Sequence, residues 1–360
     1  ELCGVLTLTP EYGKPESMYR KALDLRQKRL GPEHVDIARS QYQLADLLFR
    51  KGEYDAAEPL FRQALSMRRK LLGDNTLEVA KSLEGLAMNL YNQGKYDEAL
   101  PAMRRAVALQ RGLHKEPHTD LAEALGNLGL VLSDMGEYHE AETLYREALQ
   151  MKRVLLGDTH PEIALSLNNI AYALADQKKY DEAASMYRQA IAMQRKLLGD
   201  DHPDIAAALN NLAFVLHDKG DAGGARRMMQ QSLDMYRRTV GPEHPSIARG
   251  MGNQAMWQME AGDYASAEPM LREALQMRRK LLGNQHTDVA GTLTLLASLL
   301  VDTRRFEEAR SAAAEARAIC LPALGPGLGI DQVGQALDLR QAELAMLEGA
   351  AGELTRPRRP

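Results

Sequence analysis

A glycine returns every 42 residues, at Gly31, Gly73, Gly157, Gly199, Gly241, Gly283 and Gly325, usually closing a Leu-Leu-Gly phrase. The one break falls at Lys115, inside His114-Lys115-Glu116-Pro117-His118. Other columns keep the same step: Tyr12, Tyr54, Tyr96, Tyr138, Tyr180, Tyr264 and Phe306; Ala57, Ala99, Ala141, Ala183, Ala225, Ala267 and Ala309. A period of this length is the signature of an array in which each unit buries its apolar face against its neighbours. It replaces the roughly two or three globular domains that a chain of 360 residues otherwise allows.

Each unit reads as two helices. In Asp200 to Gly241, His202 is placed as a helix cap, Pro203 suits the first helical position, where no N–H is needed, and Asp204 faces the positive helix end. The apolar residues Ile205, Leu209, Leu212, Ala213, Val215 and Leu216 then keep helical spacing until Gly220, a left-handed stop. Helix B of the preceding unit runs from about Asp181 to Leu198, with Ala183, Ala184, Tyr187, Ala190, Ile191 and Leu197 on one side. Small Ala columns allow helix axes to approach to roughly 8 to 10 Å. The basic clusters Arg68-Arg69-Lys70, Arg195-Lys196, Arg237-Arg238 and Arg278-Arg279-Lys280 fall in last turns, where the negative helix end favours them; a basic binding strip is the alternative.

The spacing Leu44, Ala45, Gly52, Tyr54, Ala57, Phe61, Ala64 resembles the tetratricopeptide repeat, whose usual unit is about 34 residues. The longer helix B here, with Leu-Asn-Asn-Ile-Ala at 167–171, Leu-Asn-Asn-Leu-Ala at 209–213 and Gly-Asp-x-His-Pro-(Glu/Asp)-Ile-Ala, is similar to the kinesin light chain type of repeat. The resemblance implies an all-α, right-handed α-solenoid of about seven antiparallel helix pairs. We expect an irregular, truncated start at 1–10, an orphan helix B at 11–31 with an exposed apolar face, and seven units over 32–325. A capping helix is expected at 326–349 and a disordered tail at 350–360.

Composition narrows the chemistry. Lys and Arg (45) nearly balance Asp and Glu (49), for a net charge of −4, so a nucleic-acid partner is not expected. The two cysteines, Cys3 and Cys320, lie too far apart for a disulfide framework or a cysteine-rich zinc module and fit a reducing, cytoplasmic setting. Val289 to Val301, the longest uncharged apolar run near the C-terminus, is short of the roughly 20 residues that span a bilayer. Phosphate-loop, zincin and nucleophile-elbow motifs are missing from the sequence, so no catalytic residue or cofactor is expected. The column His34, His118, His160, His202, His244 and His286 reads as helix caps rather than metal ligands, because stacked units hold its members apart. The Met column at 67, 151, 193, 235 and 277 reads as packing. The Arg column at 62, 104, 146, 188 and 272 reads as salt bridges between units.

What remains is a row on helix A: Asp46, Met88, Leu130, Tyr172, Phe214, Met256 and Ser298. In the resembling family this position faces a groove. Beside it lie Asn168 and Asn210, and Asn127, Asn169, Asn211 and Asn253. An amide side chain both donates and accepts, so such a row suits the main chain of an extended peptide while apolar neighbours take its side chains. Alternatively, the asparagines bond to adjacent helices and the apolar row simply packs. Arg39, Lys81 and Arg249 stand at the edge, and the resemblance implies acidic peptide ligands there, although Asp134, Asp176, Asp218, Glu260 and Asp302 form an opposing acidic column. The expected function is a non-catalytic adaptor for partner proteins, with no indication of oligomeric state. The alternative is the sensor region of a larger signalling or catalytic protein whose N-terminal domain is missing.

Overall fold

The structure, a computed structural model, describes residues 13–323. The capping helix and tail expected beyond 325, the start at 1–10, and Tyr12 lie outside the described residues. Those described form fifteen α-helices: α1 (Gly13–Leu30), α2 (Val35–Arg50), α3 (Tyr54–Leu72), α4 (Leu77–Asn92), α5 (Tyr96–Leu113), α6 (Thr119–Asp134), α7 (Tyr138–Leu156), α8 (Pro161–Asp176), α9 (Tyr180–Leu198), α10 (Pro203–Asp218), α11 (Ala222–Val240), α12 (Pro245–Glu260), α13 (Tyr264–Leu282), α14 (Thr287–Asp302) and α15 (Phe306–Ala323). They make an all-α solenoid divided into two compact units, one ending at Met193 and the other beginning at Gln194.

Helix starts follow the histidine column. His34, His118, His160, His202, His244 and His286 are N-caps, each accepting through Nδ1 the backbone N–H two residues on, at 3.1 to 3.2 Å. This satisfies one of the orphan donors that every helix start exposes. Thr76 does the same for α4 with its hydroxyl, 3.3 Å from the Val79 nitrogen.

Even-numbered helices stop through a common turn. After α2, the Gly52 N–H reaches the Phe49 carbonyl and the Glu53 N–H the Leu48 carbonyl, both at 2.9 Å, the pairing that requires a left-handed residue between. Gly52, Gly94, Gly136, Gly220 and Gly262 supply it with φ of 74 to 92°. Lys178 and Arg304 take the same place at φ 62 and 61°, a conformation in which a Cβ costs about 1 kcal/mol.

Packing is built on small residues. Ala57, Ala99, Ala141, Ala183, Ala267 and Ala309 are completely buried, and larger side chains such as Phe61, Met103, Tyr145, Tyr187, Met229 and Leu271 fill the space beside them. Met235 and Met277 are buried as packing residues. The repeated tyrosine opens helix B against an aromatic from the helix before it, as in Phe49–Tyr54 and Tyr91–Tyr96, with ring centroids 5.6 and 5.7 Å apart. The orphan helix α1 packs on α2, with Lys51 Nζ 2.6 Å from the Glu16 carboxylate, and leaves Met18 69% and Leu25 64% exposed.

The arginine column joins successive units as expected. Arg62 reaches Glu98 at 2.8 Å and Arg104 reaches Glu140 at 2.7 Å, while Arg272 holds Glu268 at 2.8 Å and reaches on to Glu308 at 3.4 Å. Most of these side chains are exposed, so each pair contributes little. Arg68 and Arg278 depart from the helix-end reading. Arg68 is buried, donates to the Ser82 hydroxyl at 2.7 Å and to the Glu78 carbonyl at 2.9 Å in the next helix, and lies 4.9 Å above the Tyr42 ring. Arg278 repeats the clamp on Thr292 and the Asp288 carbonyl, each at 2.7 Å. Both serve to lock one unit onto the next.

Replacing Lys178 by Gly removes the left-handed strain without touching a core residue. The expected gain is about 0.5 to 1 kcal/mol, read as a rise in the denaturant midpoint. The converse Gly220→Ala is expected to lower it by a similar amount.

Candidate functional site

Even-numbered helices also touch one another. In the first unit α2 meets α4, α4 meets α6 and α6 meets α8; in the second α12 meets α14. Within each unit they form a layer whose outer side carries members of the row beginning at Asp46. The row is not buried with the rest of helix A: Met88 and Leu130 are half-buried, and Tyr172 is 45% exposed. Two positions away on the same helices, and so on roughly the opposite face, residues such as Leu86, Leu90, Leu128, Leu132 and Leu174 are buried. Helical geometry thus sends one face to the core and leaves the stripe opposite it partly open.

In the first unit Asn127, Asn168 and Asn169 are half-buried beside this stripe. Asn127 is engaged within the fold: its Nδ2 donates to Glu84 at 2.9 Å, and Gln110 donates to the same carboxylate at 3.3 Å. For this residue the contact between helices is realised. Asn168 is different, since its Oδ1 is buried with no donor. Glu84 occupies the same column as Asn168, and burial pushes its carboxyl up to about 7, against the hydrogen bond from Asn127. Burial, with Asp176 and Asp134 nearby, raises the Tyr172 phenol as well.

The second unit carries Asn210, Asn211, Phe214, Arg249, Asn253 and Met256. Asn211 and Arg249 are exposed, and Asn210, Phe214, Asn253 and Met256 half-buried; the Asn210 amide donates to the Asn211 carbonyl at 3.3 Å. Phe214 stands edge-on to Trp257, centroids 5.1 Å apart, and His217 stacks on the same indole at 4.6 Å while its Nε2 lies 3.2 Å from Glu260. Trp257 and His217 were not legible as partners of the row, because each occurs once and repeats no column. Trp257 is only 9% exposed, so Phe214 is anchored by it rather than projecting alone.

The basic edge is largely compensated. Lys81 Nζ lies 2.9 Å from Asp120, and Arg39 is 3.5 Å from Asp36. In the opposing acidic column Asp134 accepts the Tyr91 hydroxyl at 2.5 Å. Among the described residues the capping histidines do not converge, and the close group of metal-type ligands is His114, His118 and Asp120.

A stack of 42-residue helix pairs with this signature defines a class, the helical-repeat proteins that present one face of each pair. The sequence profile of the tetratricopeptide repeat matches residues 11–70, 78–153, 120–196, 162–238, 204–280 and 246–321, and the chain belongs to the tetratricopeptide repeat family. Among solved structures it is similar to BtubC from P. vanneervenii, at 22% identity and a TM-score of 0.54, over 64% of this chain and 92% of that one. It is also similar to the nearly identical TPR-like repeats ascribed to a kinesin light chain of Podosopora anserina, at 24% identity and 0.53, over 57% of this chain and 98% of that one. A third likeness is to a signal transduction ATPase with a tetratricopeptide repeat sensor from Pyrococcus horikoshii, at 12% identity and 0.62, over 85% of this chain and 45% of that one. These likenesses concern the fold. No curated protein matches the chain.

The Glu84 carboxyl has its pKa raised on folding, from 4.5 to about 7, so the folded state binds the proton more tightly. Its stabilising share is complete below about pH 4.5 and lost as pH rises through 7. Glu84→Gln is expected to keep the Asn127 contact and, with the Gln110 amide turned so that its unpartnered Oε1 accepts, the Gln110 contact, to raise the melting temperature at pH 8, and to flatten its fall between pH 5 and 8.

Proposed function

We propose that the chain is an adaptor that holds extended segments of partner proteins along the open stripe of its even-numbered helices. The tetratricopeptide repeat is generally a non-catalytic protein-interaction module, and a scaffold role follows from membership. The exposure of Tyr172 carries the finer reading. A large aromatic left 45% open among the five apolar or aromatic members at the centre of the row, beside amide side chains, is the composition of a peptide-binding surface. Met88 and Leu130 in the first unit, and Phe214 and Met256 in the second, would take apolar side chains.

Acidic side chains on the ligand fit the edge marked by Arg39, Lys81 and Arg249, where binding exchanges the Arg39–Asp36 and Lys81–Asp120 pairs for contacts to the ligand. The acidic column at the helix ends sets the direction, keeping the ligand's own acids away from Asp134 and Asp176. Among the described residues no helix is long and apolar enough to cross a membrane, which accords with the cytoplasmic setting we propose. The second reading, a sensor region of a larger protein, gains nothing specific from the Pyrococcus horikoshii likeness, which extends to fold alone.

Peptides selected by display on the full chain provide the test. Tyr172→Ala is expected to weaken the selected peptides at least about tenfold, or ~1.4 kcal/mol, and Asn169→Ala and Asn211→Ala to weaken them less. Phe214→Ala also frees a face of Trp257, so its fold is checked separately by circular dichroism. Affinities unchanged in all four variants would remove the stripe as the binding surface.

A further inference from the structure

The repeat breaks once, and the break places two imidazoles face to face. At the end of the odd-numbered helices the column reads Leu72, Leu156, Leu198, Val240 and Leu282, with a glycine following each; in α5 the same positions are His114 and Lys115. The helix stop changes accordingly. Gly73, Gly157, Gly241 and Gly283 close their helices at φ of 79 to 91°, whereas His114 caps α5 in extended backbone at φ −97°. His118 caps the start of α6, as a histidine does in other units, but here it gains a second imidazole: the rings of His114 and His118 stack at 3.8 Å and 13°. Asp120 follows in the first turn of α6. One ligand atom from each of the three lies within 4.8 Å of the others.

The geometry separates this group from an ordinary capped loop. The His114 Nε2 is buried and has no hydrogen-bond partner, which is uncommon for a ring nitrogen that either donates or accepts. Each of the other capping histidines accepts one backbone N–H without such a companion placed to converge on an ion.

We propose that His114, His118 and Asp120 form a binding site for a divalent transition-metal ion of the zinc class. Two imidazoles and one carboxylate match the borderline-soft preference of Zn²⁺ and Co²⁺ rather than the all-oxygen sets of Ca²⁺ and Mg²⁺. Three protein ligands leave a tetrahedral ion one open position for water. Metal–ligand bonds of about 2.0 to 2.2 Å place tetrahedral ligand atoms roughly 3.3 to 3.6 Å apart, so the three side chains draw together by rotation as the ion enters. His118 and Asp120 are 42% and 26% exposed, which gives the ion its route in. Two contacts oppose it. The His118 Nδ1 accepts the Asp120 N–H at 3.2 Å, so ligation through that atom releases the cap, and Lys81 Nζ holds Asp120 at 2.9 Å. The ion ties the end of α5 to the start of α6, in place of the glycine turn that the other units use.

Calorimetric titration of the full chain, without a polyhistidine tag, with Zn²⁺ alone tests the site, and the visible absorption of Co²⁺ reports its geometry. We expect one ion per chain and tetrahedral Co²⁺ bands. His114→Leu restores the residue of the neighbouring units, and His118→Asn keeps a capping side chain while removing the imidazole; each is expected to weaken binding at least about tenfold, as loss of even a supporting ligand partner does. Lys81→Ala is expected to tighten it, and His202→Asn to leave it unchanged. Binding weaker than about 1 mM, or equal affinity in the wild type and His114→Leu, would overturn the proposal. If His114→Leu loses helicity, His118→Asn alone decides.

Discussion

Ala57, Ala99, Ala141, Ala183, Ala267 and Ala309 have no solvent exposure at all, and the architecture depends on the close approach they permit. A larger side chain in that column would force paired helices apart and open the spaces that Phe61, Tyr145, Tyr187 and Leu271 fill. With the pairs held so closely, each even-numbered helix commits one stripe to its partner and another to its neighbours. The remaining face is left partly open, which is where Tyr172 stands. The candidate binding surface is therefore a by-product of the packing rule, repeated at each step and varied in residue type.

What repeats was legible in the sequence. A histidine two residues before an acidic or polar first-turn residue announced six of the caps, and a glycine 18 residues on announced four of the stops, Thr76 capping α4 and Lys178 and Arg304 standing in the glycine place after α8 and α14. The arginine column was readable as bridges because acids recur on the following helix B. Contacts between different columns were not legible. Arg68 read as a helix-end charge, yet it is buried against Ser82 and Tyr42, because its destination depends on how one unit rotates against the next. Asn127 read as a groove amide, and in the fold it supports Glu84. The same holds for Trp257, whose single occurrence gives no period to detect, although it anchors both Phe214 and His217.

Irregularity concentrates in α4 to α6. This stretch has Thr76 for the capping histidine, Glu84 as an acid in a column that otherwise holds Tyr, Asn, Gly or Thr, the Lys81–Asp120 pair, and His114 with Lys115 in place of the Leu-Gly stop. A one-dimensional array tolerates such changes, because each unit answers only to its neighbours. The same tolerance lets one junction acquire chemistry that the others lack while the stripe passing over it stays continuous through Met88, Leu130 and Tyr172.

The central claim is that partners meet the even-numbered layer and not the odd-numbered one. Site-specific photocrosslinking separates the two: a benzophenone side chain placed at Tyr172 on α8, and in a second protein at Arg104 on the exposed side of α5, is irradiated with a bound peptide. The account requires adducts from position 172 and none above background from 104. Adducts from 104 with none from 172 would contradict it.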